Sequence, residues 1–217
     1  MSKLKIGFII DEDQVSSDAL RLINLILDKY TFFEAPILVS QIYQIKDEGL
    51  ILKIGKQFKH LPQRVLSKII MRLEGYLLKK NKLFSNYNQK ILVSSLGLKV
   101  IKIHPRVESN GHTHTFSDED LENIDKYNLD VLIRSGTGIL KGRILNIAKF
   151  GVLSFHHADN REIRGMPVGF WEVFLKKPST GFIIQQLTEQ LDNGNVLARG
   201  NIPTASYWQL NAARIYQ

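Results

Sequence analysis

Residues 151–165 read GVLSFHHADNREIRG: an apolar run, Val152 to Phe155, ends in two histidines, an aspartate and a polar turn. An imidazole held at the end of a buried strand suits general acid–base work or the stabilisation of a developing negative charge. A carboxylate at a comparable position follows in LDNGN, Asp192. A histidine beside a carboxylate is oriented by it and kept more basic. The two residues lie 36 positions apart, and that spacing alone fits a structural histidine with satisfied nitrogens equally well. His112 and His114, in NGHTHT, have the alternate spacing of ligands on one side of a strand. With His156, His157 and Asp159 they could be drawn into a zinc site, but no single stretch has a metal-ligand pattern and no metal is expected. Arg161 and Arg164, in the turn after the histidines, are either phosphate partners or solvated charges.

The elements that must position these groups alternate between strand and helix. KLKIGFII (3–10) is a buried strand followed by three acids, Asp11, Glu12 and Asp13. A helix over 16–30 follows, with Leu20, Ile23, Ile26 and Leu27 on one face and Ser17 or Asp18 as cap. Further strands are expected at 35–43, 99–103, 129–140 and 151–155, and a helix with a Ser117–Asp120 capping box after the loop at 108. The stretch 180–203 reads as two strands around an Asp-Asn-Gly turn. This order predicts an α/β, Rossmann-like, mostly parallel sheet flanked by helices. Such sheets bind ligands beyond the carboxyl ends of their strands, which singles out RSGTG (134–138) and HHADNREIRG (156–165).

Composition narrows the classes. A chain of 217 residues that is 44% apolar is long enough for one substantial core, and no apolar run approaches a membrane span. There is no cysteine, which removes thiolate metal sites and thiol nucleophiles and is compatible with the cytoplasm. Residues 41–90 hold eleven Lys/Arg against three acids, so the whole net charge of +8 sits in this one stretch. Within it, 61–84 reads as one basic amphipathic helix, with Val65, Ile69, Leu73 and Leu77 in a row and Lys68, Arg72, Lys79 and Lys80 off it. It is either a surface helix with a solvated polar face or a face for an anionic partner. Nucleic acid is not expected, because no binding motif or stacking platform accompanies the charge.

From Leu129 to Pro203 the chain resembles the formyltransferases that use N10-formyltetrahydrofolate, the family of the glycinamide ribonucleotide, methionyl-tRNA and sugar N-formyltransferases. The carriers are LDVLIRSGTGILKGRIL, GVLSFH, IRGMPVGFWEV and STGFIIQQLTEQLDNGNVLARG, in the family's order and spacing. Earlier residues agree only in α/β order. The resemblance implies the formyltransferase fold over 1–205; the charge distribution marks a basic helical insert within it at about 44–90, and SYWQLNAARIYQ (206–217) reads as the start of a helix leading into a longer chain. It implies His156 as the catalytic imidazole, Asp192 as the group that raises its basicity and positions a water, and formyltetrahydrofolate as cosubstrate. Arg134, Ser135, Gly136, Thr137 and Gly138, with Leu191, would hold the pterin through backbone groups. Ser154 stands where the family has an asparagine that donates to the oxyanion, and HHADNREIRG replaces the family's H-P-S-x-L-P run. Either Ser154 donates in the asparagine's place with a water or a shifted backbone, or His157 or Asn160 compensates, or activity is low; His157, Asn160 and Arg164 would meet the substrate. The acceptor implied is an amine, most readily a nucleotide-linked or surface-glycan amino sugar. A catalytically weak binding domain on the same fold is the alternative.

Overall fold

The computed structural model describes residues 2–29, 31–43, 61–87, 89–163, 167–190 and 193–217, with the side chains of 61–64 excepted. Asp192, Leu191, Arg164 and residues 44–60 of the basic stretch therefore lie outside the described residues. The elements in chain order are β1 (Ile6–Asp11), β2 (Gln14–Ser16), α1 (Ser17–Asp28), β3 (Ile37–Gln41), α2 (Leu61–Leu78), α3 (Lys82–Tyr87) and β4 (Lys90–Leu92). After them come β5 (Val100–Ile103), β6 (Arg106–Val107), β7 (Thr113–Thr115), α4 (Asp118–Asp125), β8 (Val131–Arg134), β9 (Ile139–Leu140) and β10 (Val152–His156). The chain continues through α5 (Phe170–Phe174), β11 (Ser179–Gln186), β12 (Asn195–Pro203) and α6 (Trp208–Ile215).

Five strands run parallel in the order β5, β3, β1, β8, β10. Antiparallel β11 and β12 extend the β10 edge. Short β2 folds back from β1 and pairs with β4. The crossover from β3 goes outward to β5, and the chain then returns to the far side of β1 to form β8. The strand order therefore reverses between β1 and β8, and this is where a doubly wound sheet opens a crevice.

Strand alternation sorts the core into two layers. Ile9, Val39, Ile101, Leu132 and Val152 point to one face, where Leu121 and Ile124 of α4 and Ile144 and Leu145 of the 3₁₀ turn Gly142–Asn146 cover them. Phe8, Ile10 and Leu38 point to the other, against Ala19, Ile23 and Ile26 of α1. On that second face α6 brings Tyr216 onto Phe155, which also stacks on Phe182. Ser117 caps α4 as expected, its hydroxyl accepting from Asp120 N–H at 3.2 Å, but the reciprocal half of the box is replaced: the Asp120 carboxylate accepts from the Ser117 hydroxyl at 2.9 Å.

Two expectations are corrected, and the placing of the 61–84 apolar row, left open by the sequence, is given by the structure. Leu27 shares the apolar side of α1 but is 39% exposed, because the sheet covers only the width that Ala19, Ile23 and Ile26 occupy. The helix expected over 61–84 is two helices; Asn81 Oδ1 accepts from the N–H groups of Leu83 and Phe84 at 3.0 and 3.2 Å and so starts α3 afresh. The row Val65, Ile69, Leu73 and Leu77 does not pack on the body: each is between 47% and 62% exposed.

Candidate functional site

The carboxyl ends of the parallel strands carry polar residues on the face that, one turn of the pleat earlier, is apolar. Asp11 follows Ile9, Gln41 follows Val39, Arg134 follows Leu132 and Ser154 follows Val152, each two residues on, and His156 stands two beyond Ser154. Register sets them side by side: Asp11 pairs with Gln41, and Arg134 with Ser154. His156, the last residue of β10, lies opposite Ile183 of β11. It is half-buried, and its ring stacks on His157 with centroids 4.9 Å apart.

Asp11 is the hub at the switch point. Its Oδ1 accepts from Gln41 Nε2 at 3.0 Å and from the Tyr43 hydroxyl at 2.7 Å; its Oδ2 accepts from the Thr137 N–H at 2.7 Å. Tyr43 also meets Thr137 Oγ1 at 3.2 Å. Because Gln41 spends its amide N–H on Asp11, its Oε1 is left to accept, and His114 Nδ1, 3.1 Å away, is the donor. The neutral tautomer so chosen agrees with the direction of the His114 pKa, which burial lowers from the ordinary value. Burial likewise raises the Tyr43 phenol above its ordinary range.

This network holds the loop 134–138. Gly136 sits where a Cβ would lie 2.7 Å from Asp11 Oδ1 and 2.8 Å from Gln41 Nε2, so only glycine lets the loop approach. At Gly138, φ is +84° and a Cβ would enter the His114 ring. Arg134 donates to the Gly138 carbonyl, and its Nε is buried without a hydrogen-bond partner among the described residues. Ser135 N–H donates to Ile9 O at 2.9 Å, and its hydroxyl meets Ser16 Oγ at 3.2 Å. Ser16 thus turns toward the loop and leaves α1 without a side-chain cap. Several backbone groups expected to meet a pterin, Ser135 N–H, Thr137 N–H and Gly138 C=O, are engaged inside the protein.

Ser154 is buried between Arg134 and Gln185, and its hydroxyl makes a long bond, 3.4 Å, to the Phe155 carbonyl. Beyond His157 the chain folds across β11 and β12. Asp159 is clasped by Arg161, with Nη2 to Oδ2 at 2.6 Å, and by Arg199 at 2.7 Å; Arg199 also donates to Asn160 Oδ1 at 3.1 Å. The side-chain bond from Arg161 holds the Asp159 carboxyl down at about 2. Of the two arginines considered for phosphate, Arg161 is therefore committed to Asp159. His112 and His114 do not assemble a zinc site: among the described residues no three His, Asp or Glu side chains gather as metal ligands. Phe170 and Trp171 are packing residues, with Phe170 edge-on to Trp208 at 5.1 Å. The cavity of about 1030 Å³ at the end of β5, lined by Tyr43, His104, Arg106 and Asp120, does not include His156.

Asp11, Gln41, Tyr43 and His114 were missed as site residues by sequence reasoning. Asking which polar residue ends each parallel strand would have found Asp11 and Gln41. No such signal marks Tyr43, and the alternate histidines of NGHTHT marked His114 only as a candidate metal ligand.

No protein-family model matches the chain, and no curated protein matches it in sequence. Solved structures do match in shape. Glycinamide ribonucleotide transformylase 1 from Symbiobacterium toebii superposes with a TM-score of 0.59, covering 99% of this chain and 82% of its own at 11% identity. The fold is the formyltransferase fold. Phosphoribosylglycinamide formyltransferase from Brucella melitensis gives a TM-score of 0.60 at 15% identity, over 99% of this chain and 88% of that one. A formyltetrahydrofolate deformylase from Pseudomonas syringae pv. tomato gives 0.53 at 10% identity, over 99% of this chain and 60% of that one. The shared backbone covers the N-terminal half as well, where the sequence resemblance was confined to element order.

Proposed function

We propose that the protein transfers a formyl group from N10-formyltetrahydrofolate to an amine, most readily that of a nucleotide-linked or surface-glycan amino sugar. The observation that carries this reading is the position of His156: the last residue of the strand beside the 134–138 loop, on the sheet face of Asp11 and Arg134, in a fold shared with enzymes that handle formyltetrahydrofolate. In the reaction the amine nitrogen attacks the formyl carbon, the carbonyl oxygen becomes an oxyanion, the bond to N10 breaks, and the proton lost by the amine ends on N10. His156 stabilises the oxyanion and moves the proton. Asp192 keeps that imidazole basic, a role that rests on the resemblance alone.

His156→Ala is expected to lower the rate of mass gain by one formyl group on an amino-sugar panel about a hundredfold or more, while folate still binds. Unchanged turnover in that variant would remove the imidazole from the mechanism. A second reading, a folate-binding domain with little turnover, is favoured by one observation: Ser154 is buried and its hydroxyl is bonded back to its own strand. Loss of an oxyanion donor costs about 2.7–4 kcal/mol. Under that reading folate binds and no amine is formylated, and Ser154→Asn raises turnover.

A further inference from the structure

The outward apolar face of α2 has no place in the formyl-transfer reading and does not depend on it. Val65, Leu66, Ile69, Leu73, Tyr76 and Leu77 are between 47% and 69% exposed. At 100° per residue these side chains fall within an arc of about 120°, one continuous stripe along the helix. The stripe cannot roll inward, because the opposite side of α2 is fastened to the body. Glu74, the helix's one acid, accepts from the backbone N–H groups of Trp208 and Gln209 at 3.1 and 2.8 Å, capping α6. The side-chain amide of Gln209 donates to the Met71 carbonyl at 2.5 Å, and Leu78 is buried. Turning the apolar side inward would strip two N–H groups of their carboxylate.

The charges around the stripe say what covers it. Lys68 and Arg72 line one edge, Lys79 and Lys80 follow in the turn after Leu78, and all four are exposed. Lys79 reaches over the Tyr76 ring at 4.8 Å. Because Glu74 is spent on α6, the outward side of α2 itself presents apolar groups and cations with no carboxylate between them among the described residues. A second copy of this chain would bring the same cations together across a symmetric contact, which opposes pairing. An anionic bilayer satisfies both parts: apolar side chains enter the headgroup–acyl boundary, and lysine and arginine stems reach back to lipid phosphates. Among the described residues no helix is long and apolar enough to cross a membrane, so contact is in the plane of the surface. We propose that α2 docks the protein on an anionic lipid surface, with the stripe Val65–Leu77 inserted and Lys68, Arg72, Lys79 and Lys80 on the headgroups.

The test is co-sedimentation of the full chain with phosphatidylcholine vesicles, with and without about one third phosphatidylglycerol. Binding to the anionic vesicles is expected, and weakening as salt is raised. Lys79→Gln with Lys80→Gln should reduce affinity about twenty-fivefold, about fivefold for each cation near the surface. Leu66→Asp with Leu73→Asp should reduce it tenfold or more and leave the thermal midpoint unchanged, since both side chains are already in water. Equal binding to neutral and anionic vesicles, or no binding to either, overturns the proposal. So does anionic binding that survives the two aspartates, since charge alone would then explain it. Self-association in solution that the two aspartates abolish would assign the stripe to a second copy instead.

Discussion

Replacing Asp11 tests whether the switch-point network anchors the 134–138 loop. The carboxylate accepts three hydrogen bonds: from Gln41 at 3.0 Å, Tyr43 at 2.7 Å and the Thr137 backbone at 2.7 Å. Bonds to a charged acceptor are worth about 1.5–3 kcal/mol each, and this cluster is half open to water, so the low end applies. Asp11→Ala forfeits all three and should cost about 3–5 kcal/mol. In a domain of this size that is a fall of about 6–15 °C in thermal midpoint. Asp11→Asn is the sharper probe. Its oxygen can keep Thr137 N–H, and its amide can donate to the Tyr43 oxygen, whose own proton turns to Thr137 Oγ1 at 3.2 Å. The amide then faces Gln41 Nε2, donor against donor, so one contact is lost at a cost of about 1–2 kcal/mol.

The assay is thermal unfolding in parallel with equilibrium binding of a folate to the same preparations. Asp11→Ala should weaken both, since the loop it releases is the one assigned to the pterin. Tyr43→Phe should cost about 1 kcal/mol in the native background and close to nothing beside Asp11→Ala, because the two share one bond. A midpoint for Asp11→Ala within about one degree of the native protein, or full additivity with Tyr43→Phe, would refute the network as the loop's anchor.

His114 has its pKa lowered by burial, so between its folded value and about 6.5 the unfolded state binds the extra proton. Stability should therefore be fully present above about pH 6.5 and fall as the pH drops toward the folded value; His114→Gln should flatten that slope in urea midpoints measured from about pH 5 to 7.5. Asn211, fully buried, donates to the Gly169 carbonyl and accepts from Ala205 N–H, both at 2.9 Å. Asn211→Leu leaves both backbone groups unpaired and should cost about 3–5 kcal/mol, read as a lower denaturant midpoint; an unchanged midpoint would remove Asn211 as the pin of α6.

Some of this was legible in the residues. The runs that became β8 and β10 are continuous, apolar and end in polar turns, which is how strands buried on both faces read. The Ser117–Asp120 box marked the start of α4 because a cap is a contact between near neighbours. The β2–β4 pair was not legible: Gln14–Ser16 and Lys90–Leu92 are short, mostly polar or edge-exposed, and meet across more than seventy residues. The facing of α2 was not legible either. Periodicity shows that a helix has an apolar side, but the side that turns inward is decided by Glu74 reaching Trp208, a contact 134 positions long. The role of Tyr43 was invisible for the same reason, and His114 was noticed only as a candidate ligand, since the meaning of both comes from Asp11 and Gln41.

The site itself follows from the period of the pleat. On one face the neighbours Ile9 and Val39, and the neighbours Leu132 and Val152, form the apolar set of four parallel strands, and two residues further along each strand stand Asp11, Gln41, Arg134 and Ser154. The same alternation that buries the first row aims the second over its edge. A slip of one residue in β1 would turn Asp11 to the face that packs on α1 and take Ile9 out of the layer it fills. The core therefore holds the register of the site: the free energy that resists the slip comes from burying Ile9 or Val152, and the geometry it protects is that of Asp11 and His156. A substitution such as Val152→Ala should loosen His156 through the strand that carries it, although Val152 touches no substrate.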